Sequence, residues 1–432
     1  MSNTIFNLQQ INLLKSSLES KIEMKINKLY DSVSWLLLLI MCSSFLIFNE
    51  TKLSTISVVI CCGLLFCIMA YKNRGRIRIP ITMFHLMVML FALFCFLSSI
   101  WATNGVESRS KAISIVEILC CMTIVFWRYC DSESSIDILS VIMWSSVIVT
   151  LYSLYYYGIS HFLAMASGSV RIGNDYANSN AIGMWAAISA ILFIYFILNY
   201  GMKLKYIAVI MPIILVAFSQ SRTAFLVLII GIILVIYFRY RENKSFFKGV
   251  LRISAAVLII VAIIFFISQF QVFSGLNGRI QSLIDYSQGK SVREGSVIQR
   301  ELYIQAGWEQ FLKTPILGVG IGNTSQITMA VTGHSTYLHN NFVELLASGG
   351  IIGFGIYYGI ILYLIIKLTP FALKKDSFSD ACLVILIVHT IADYGTVSYY
   401  NKGTYFILVG CFLQVYINYK SKKVLYLNNN LS

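Results

Sequence analysis

Residues 206–238 read YIAVIMPIILVAFSQSRTAFLVLIIGIILVIYF, two apolar runs parted by the polar break Ser219-Gln220-Ser221-Arg222-Thr223. A helix that crosses a bilayer needs about 20 mostly apolar residues, so the stretch reads as a hairpin of two spans joined by a short turn. Comparable runs lie outward from it on both sides, at 33–48, 55–71, 82–100, 112–127, 137–157, 180–200, 250–268, 341–366, 381–394 and 404–418. The composition agrees, with 58% hydrophobic and 12% charged residues, a balance that excludes an ordinary water-soluble globular chain. The expected fold is all-α, a polytopic membrane protein of about 12 transmembrane helices.

A formal net charge of +14 could suggest nucleic acid, but that requires the basic residues to share one water-facing surface. They are instead distributed over alternate connections, among them Lys25, Lys28, Lys72, Arg74, Arg76, Arg78, Arg128, Arg239, Arg241, Lys374, Lys420 and Lys422. With both termini cytoplasmic, these clusters share the cytoplasmic side, as the positive-inside bias requires. The resulting organisation is a cytoplasmic amphipathic segment 1–32, spans 1–9 over 33–268, an extracytoplasmic loop 269–338, spans 10–12 over 339–419 and a cytoplasmic tail 420–432. The lysines within 1–30 break the apolar core a cleavable signal peptide needs. The ten cysteines lie in expected spans or beside a cytoplasmic loop, which indicates neither a disulfide framework nor a cysteine metal site.

The long loop retains Arg279, Lys290, Arg293, Arg300 and Lys313 on the outside. Within it, 297–312 reads as an amphipathic helix, with Ile298, Ile304, Trp308 and Phe311 at helical spacing and Pro315 beyond its end. A second outer loop, 158–178, contains Arg171.

Candidate chemistry concentrates in 334–359, where His339-Asn340 is followed by nine residues and then Gly350-Ile351-Ile352-Gly353. A neutral imidazole at the outer mouth of a span can take a proton from a hydroxyl near pH 7, and a capping or interfacial histidine is the plain alternative. Gly349-xxx-Gly353 and Gly355-xxx-Gly359 are also spacings that let membrane helices pack closely. Arg222, at the polar break, is costly at membrane depth unless it meets an anion or a carboxylate, or snorkels to the headgroups. Arg300 opens the amphipathic helix. Two guanidiniums suit a pyrophosphate, since each planar fork binds phosphate oxygens bidentately. Arg171 can add to such a site or be a plain loop charge. Asn178 and Asn180 suit helix caps, and Glu344 shares the face of Asn340 and can orient the histidine region or be paired inside the bundle. Glu117, His85 and His389 read as internal hydrogen-bonding residues, and Asp393 has no assigned role. The Gly318-x-Gly320-x-Gly322 run lacks the strand and helix context of a nucleotide loop and reads as a turn.

Taken in order, Ser221-Arg222-Thr223, the run from Arg300 through Trp308 to Pro315-Ile316-Leu317-Gly318-Val319-Gly320, and His339-Asn340-nine-Gly-xx-Gly resemble the superfamily of O-antigen ligases and O-antigen polymerases. Ser98-Ser99-Ile100-Trp101 and Asn178-Ser179-Asn180 are weaker echoes, and the likeness spans about 80–360. It implies metal-independent glycosyl transfer on the outer face of a bacterial plasma membrane, without a cofactor, from an undecaprenyl-pyrophosphate-linked oligosaccharide. It further implies that Arg222 and Arg300 recognise the donor pyrophosphate and that His339 is the base; Arg171, Asn340 and Glu344, from the reading of the residues, are the further substrate-binding candidates. Membrane lipids, and for a polymerase a chain-length regulator, are the partners expected; nucleic acid is not. Position 356, glycine in the ligase form of the motif, is Ile356, so polymerase and ligase both stay open, with polymerase favoured by the likeness of 334–359 and 393–402 to capsule and O-antigen polymerases. A flippase or transporter would share the spans and arginines, but no repeat or pair of broken helices points to alternating access.

Overall fold

The structure is a computed structural model that describes residues 2–48, 51–132, 135–165, 172, 178–201, 207–241, 295–374 and 378–429. Among these every regular element is helical: α1 (Ser2–Ile47), α2 (Lys52–Lys72), α3 (Met83–Leu97), a 3-10 turn (Ser98–Ile100), α4 (Gly105–Tyr129), α5 (Ile136–Met165), α6 (Ser179–Tyr200), α7 (Ile210–Ser219), α8 (Arg222–Tyr240), α9 (Gly295–Lys313), α10 (Ser325–Thr332), α11 (Asn341–Ala372), α12 (Ser379–Ala392) and α13 (Lys402–Asn429). Packing runs α2–α1–α5–α6–α8–α12–α11, with α7 against α5 and α6, α4 against α2, α3 and α13, and α11 against α3 and α13.

Eight of these helices are long and apolar enough to cross a membrane, against the twelve spans expected. The difference has identifiable causes. The expected spans at 206–220 and 381–394 form helices of 10 and 14 residues, and 250–268 lies outside the described residues. The span expected at 404–418 exists within α13, but α13 is buried almost all round from Gly403 to Val415. An interior helix can carry polar groups if they are satisfied. Gln414 Oε1 accepts from Ser135 N at 3.0 Å and Oγ at 2.8 Å, Gln414 Nε2 donates to Asn418 Oδ1 at 2.8 Å, and Asn418 Nδ2 donates to Ser379 Oγ at 2.8 Å. These groups dilute the apolarity of α13 without facing lipid.

The outside of the bundle is apolar, as a bilayer solvent requires: Ile56, Ile60 and Leu64 on α2 and Leu86, Leu90 and Leu93 on α3 are exposed. α1 runs unbroken from Ser2, and the part that qualifies as a span begins at Lys25.

The two ends of the bundle differ in charge. At one end Arg128 bonds Ser34 and Asp31, Lys420 meets Asp131 at 2.7 Å, Arg241 donates to the Ala372 carbonyl and Lys422 lies 4.3 Å from the Phe371 ring. His339 and the start of α9 lie at the other end, beside the starts of α4, α6, α8 and α11. That is the segregation on which the expected orientation rests.

Candidate functional site

The site is built on a break in α11. Gly350 has φ 60 and ψ −166, so the helix stops after Gly349 and restarts beyond it. A break at membrane depth leaves carbonyls and amides without helical partners, and the 315–320 segment supplies them. Val319 N and Gly320 N donate to the carbonyls of Ala347 (3.0 Å) and Ser348 (2.9 Å), while Ile351 N and Ile352 N donate to Pro315 O (2.8 Å) and Ile316 O (3.3 Å). The approach is too close for side chains: a Cβ on Gly350 would lie 2.3 Å from the Ile316 carbonyl, and one on Gly318 2.4 Å from that of Ser348. The segment is anchored from behind by the turn after α3. Ser98 Oγ accepts from Ile321 N (3.1 Å), Trp101 Nε1 donates to Leu317 O (3.2 Å), and Asn323 bonds Asn104 N (2.7 Å) and Ser108 Oγ (3.1 Å). Motifs far apart in sequence thus form one scaffold.

On this scaffold sits the histidine loop. Asn340 caps α11, its Oδ1 accepting from Phe342 N (3.0 Å) and Val343 N (3.1 Å), and it is 3% exposed; its side chain is committed to the helix start. Glu344 is buried and ties two strands of loop together, accepting from Thr324 Oγ1 at 2.6 Å and from Leu338 N at 2.9 Å. Leu338 precedes His339, so Glu344 fixes the backbone from which the imidazole projects. His339 itself has φ 56, a left-handed conformation uncommon outside glycine. Its ring is stacked on Tyr303 (5.9 Å between centroids, 12° between planes) and touches Tyr337 (4.2 Å). Burial, and next the positive charge of Arg300, push its pKa down to about 4. At neutral pH the ring is uncharged and able to accept a proton. His334 is exposed.

Arg300 and Tyr303 are three residues apart on α9 and share a face. That face packs on α11, and Gly307 makes the contact possible, since a Cβ there would meet Leu338 and Val343 at 2.6 Å. α9 therefore matches the amphipathic helix expected at 297–312, but it turns Tyr303 and Gly307 inward and leaves Ile298 and Trp308 exposed.

Arg222 is the first residue of α8, capped by Ser221 Oγ, which accepts from Ala224 N at 3.4 Å. There the aligned peptide dipoles add positive potential to the guanidinium. The start of α8 packs on the 393–395 turn, where a Cβ on Gly395 would lie 2.4 Å from Thr223 Oγ1. The same turn holds the start of α11, since Asn341 N donates to Asp393 O at 2.8 Å. One turn thereby joins the helix of Arg222 to the loop of His339. Arg171 lies outside the described residues.

Three groups carry more here than their sequence positions suggested. Tyr303 stacks on the histidine and Tyr337 meets it at a tilt; their signal was position, one turn from Arg300 and two residues before His339. Asp393, fully buried, accepts from Tyr358 OH (3.0 Å) and Asn341 Nδ2 (3.4 Å), and Asn341 Oδ1 in turn accepts from Ser398 N (2.9 Å). Asn178 caps α6 as expected, and its Nδ2 also donates to Tyr337 OH at 3.2 Å. His85 closes a capping box with Thr82 at the start of α3, whereas Glu117 makes no hydrogen bond among the described residues and His389 Nε2 lacks a partner there.

Residues 207–358 match the family model described as O-antigen ligase, a stretch that contains Arg222, Arg300, His339 and the break in α11. No curated protein matches the chain. Together with the all-helical, membrane-spanning fold, the match supports the likeness of this chain to the superfamily of O-antigen ligases and polymerases.

Proposed function

We propose that the protein is a polysaccharide polymerase that moves an undecaprenyl-pyrophosphate-linked glycan onto a lipid-linked repeat unit at the outer face of the plasma membrane. The observation that carries this reading is the meeting, at the less cationic end of the bundle, of a neutral imidazole flanked by two tyrosines with Arg300 and with the turn that holds the Arg222 helix. The cationic opposite end supports a cytoplasmic assignment for that side, and so an external one for His339.

In this reaction a hydroxyl of the acceptor sugar attacks the anomeric carbon of the donor. The new carbon–oxygen bond forms as the bond to the pyrophosphate breaks, the electron pair leaves with the lipid pyrophosphate, and His339 takes the hydroxyl proton. Arg222 and Arg300 neutralise the charge that develops on the leaving group. A free-site pKa near 4 makes His339 a weak base. A pyrophosphate on Arg300 offsets the charge that helps depress it, so the base strengthens once donor is bound. Metal-independence and the sugar identities belong to the proposal as well.

The description of the matched family favours a second reading, a ligase that transfers the finished chain to lipid A-core or another terminal acceptor. The readings separate in cells carrying Arg222→Lys and Arg300→Lys, which keep charge but lose the bidentate fork. A disabled polymerase accumulates single lipid-linked units outside; a disabled ligase accumulates full-length lipid-linked polymer. A transporter traps single units on the cytoplasmic leaflet. Normal polymer in both variants at equal expression removes the arginines from the reaction.

A further inference from the structure

Beside the histidine loop a cavity of about 1100 Å³ lies among α2, α3, α4, α6 and the start of α13. Its polar lining gathers Lys111, Glu117, Asn178, Tyr337, His389 and Lys402, while much of the remaining wall is aliphatic or aromatic. Tyr337 belongs to both places, since its ring also meets His339.

The charges in this cavity are unevenly matched. Lys402 is the first residue of α13, where the helix already presents positive charge. Its ammonium donates to two neutral hydroxyls, Ser54 Oγ at 3.2 Å and Thr55 Oγ1 at 2.9 Å, and no carboxylate among the described residues comes within ion-pair distance of it. A cation held in a mostly apolar cavity at the end of a membrane bundle is costly without a counter-charge in direct contact. Lys111 is partly neutralised by Glu107 at 3.2 Å and lies 4.1 Å from the Tyr400 ring. His389, 8% exposed, brings a nitrogen without a partner to the same space. Glu117 lies six residues beyond Lys111, about 9 Å deeper along α4; its charge acts on Lys402 from beyond ion-pair distance and offsets that lysine without closing on it. Apolar walls leading to a cationic mouth match an anionic headgroup on a long hydrocarbon chain.

We propose that this cavity receives the second substrate of the transfer, a phosphate-bearing isoprenoid lipid. Its phosphate rests on Lys402 and Lys111, its chain lies along the apolar wall, and its sugar passes Asn178 and Tyr337 toward His339. The inference rests on the transfer reading above and adds to it a second cation pair, separate from Arg222 and Arg300, for the acceptor.

The test uses the full-length protein in nanodiscs and a sugar-free polyprenyl phosphate bearing a diazirine on the isoprene unit next to the phosphate. Adducts mapped by mass spectrometry should fall within 110–122 and 178–188. The double variant Lys111→Met/Lys402→Met should reduce them at least about tenfold, the scale of losing charge-assisted hydrogen bonds to phosphate, while Lys402→Arg and Arg222→Lys retain them. Unlabelled polyprenyl phosphate should compete; polyprenol and inorganic phosphate at the same concentration should not. Undiminished labelling of the double variant overturns the proposal. Equal competition by polyprenol overturns it in favour of a purely apolar cavity, and equal competition by inorganic phosphate in favour of a free-anion site. In turnover assays the double variant should raise the KM for the acceptor about tenfold with donor KM unchanged. If polymer forms normally but the adducts are absent, only the cavity assignment fails; if the adducts appear and no transfer is found, the transfer reading fails and the lipid site stands.

Discussion

Replacing Gly350 with alanine should unfold the histidine site, whereas the same change at Gly355, five residues along the same helix, should not. At Gly350 the backbone has φ 60 and ψ −166, a region essentially reserved for glycine, and holding another residue there costs about 1–3 kcal/mol. The added methyl would also lie 2.3 Å from the Ile316 carbonyl. That is backbone against backbone, so the 315–320 segment must move, at about 1–3 kcal/mol for overpacking. The combined loss is about 2–6 kcal/mol, a large fraction of the roughly 5–15 kcal/mol margin of a folded domain. A Cβ on Gly355 meets nothing within 4 Å, and alanine is the better helix former by about 1 kcal/mol. Denaturation midpoints of the two variants in the same micelle measure the difference. If Gly350→Ala and Gly355→Ala unfold together with the parent, the break in α11 is not held as described.

Glu344→Gln keeps one acceptor but cannot serve both Thr324 and Leu338 with carboxylate strength, so turnover should fall tenfold or more with little change in donor affinity, read as separate kcat and KM. Arg300→Gln removes a charge that depresses His339, and the imidazole pKa should rise from about 4, as followed by ¹³C NMR against a His339→Gln blank. The sign for stability follows: a histidine whose folded pKa is lowered contributes fully above about 6.5 and loses that contribution as pH falls toward 4. The window should therefore narrow in Arg300→Gln. A cysteine at Glu309, exposed on α9, should react with an impermeant thiol reagent in intact cells; labelling only after lysis would reverse the proposed orientation.

Much of the architecture was legible because membrane solvent imposes a one-dimensional signal. Apolar length marked most of the spans, and the helix start at Asn178 was readable because a short polar side chain before an apolar run satisfies free amides; the caps at Ser221 and Asn340 were not read as such. The signal failed where protein replaces lipid. Gln414 and Asn418 make α13 less apolar than a span needs, yet both are satisfied inside the bundle. The break at Gly350 was not legible either. The glycine pattern suggested only close helix packing, which does hold at Gly349 and Gly353 against Phe94. A positive φ, by contrast, is imposed by a partner segment more than 30 residues earlier, and no local periodicity encodes it. For the same reason Arg300 and His339 could be named as candidates, but the tyrosines between them could not, because ring stacking across α9 and the histidine loop depends on tertiary approach through Gly307.

The central claim is metal-independent transfer between lipid-linked glycans with His339 as base, and reconstitution of the purified protein with lipid-linked repeat units tests it most directly. Chain growth should proceed without nucleotide or divalent metal, and His339→Ala, still folded and still binding donor, should be slower by about a hundredfold to ten-thousandfold. Growth by His339→Ala at the parent rate would contradict the claim.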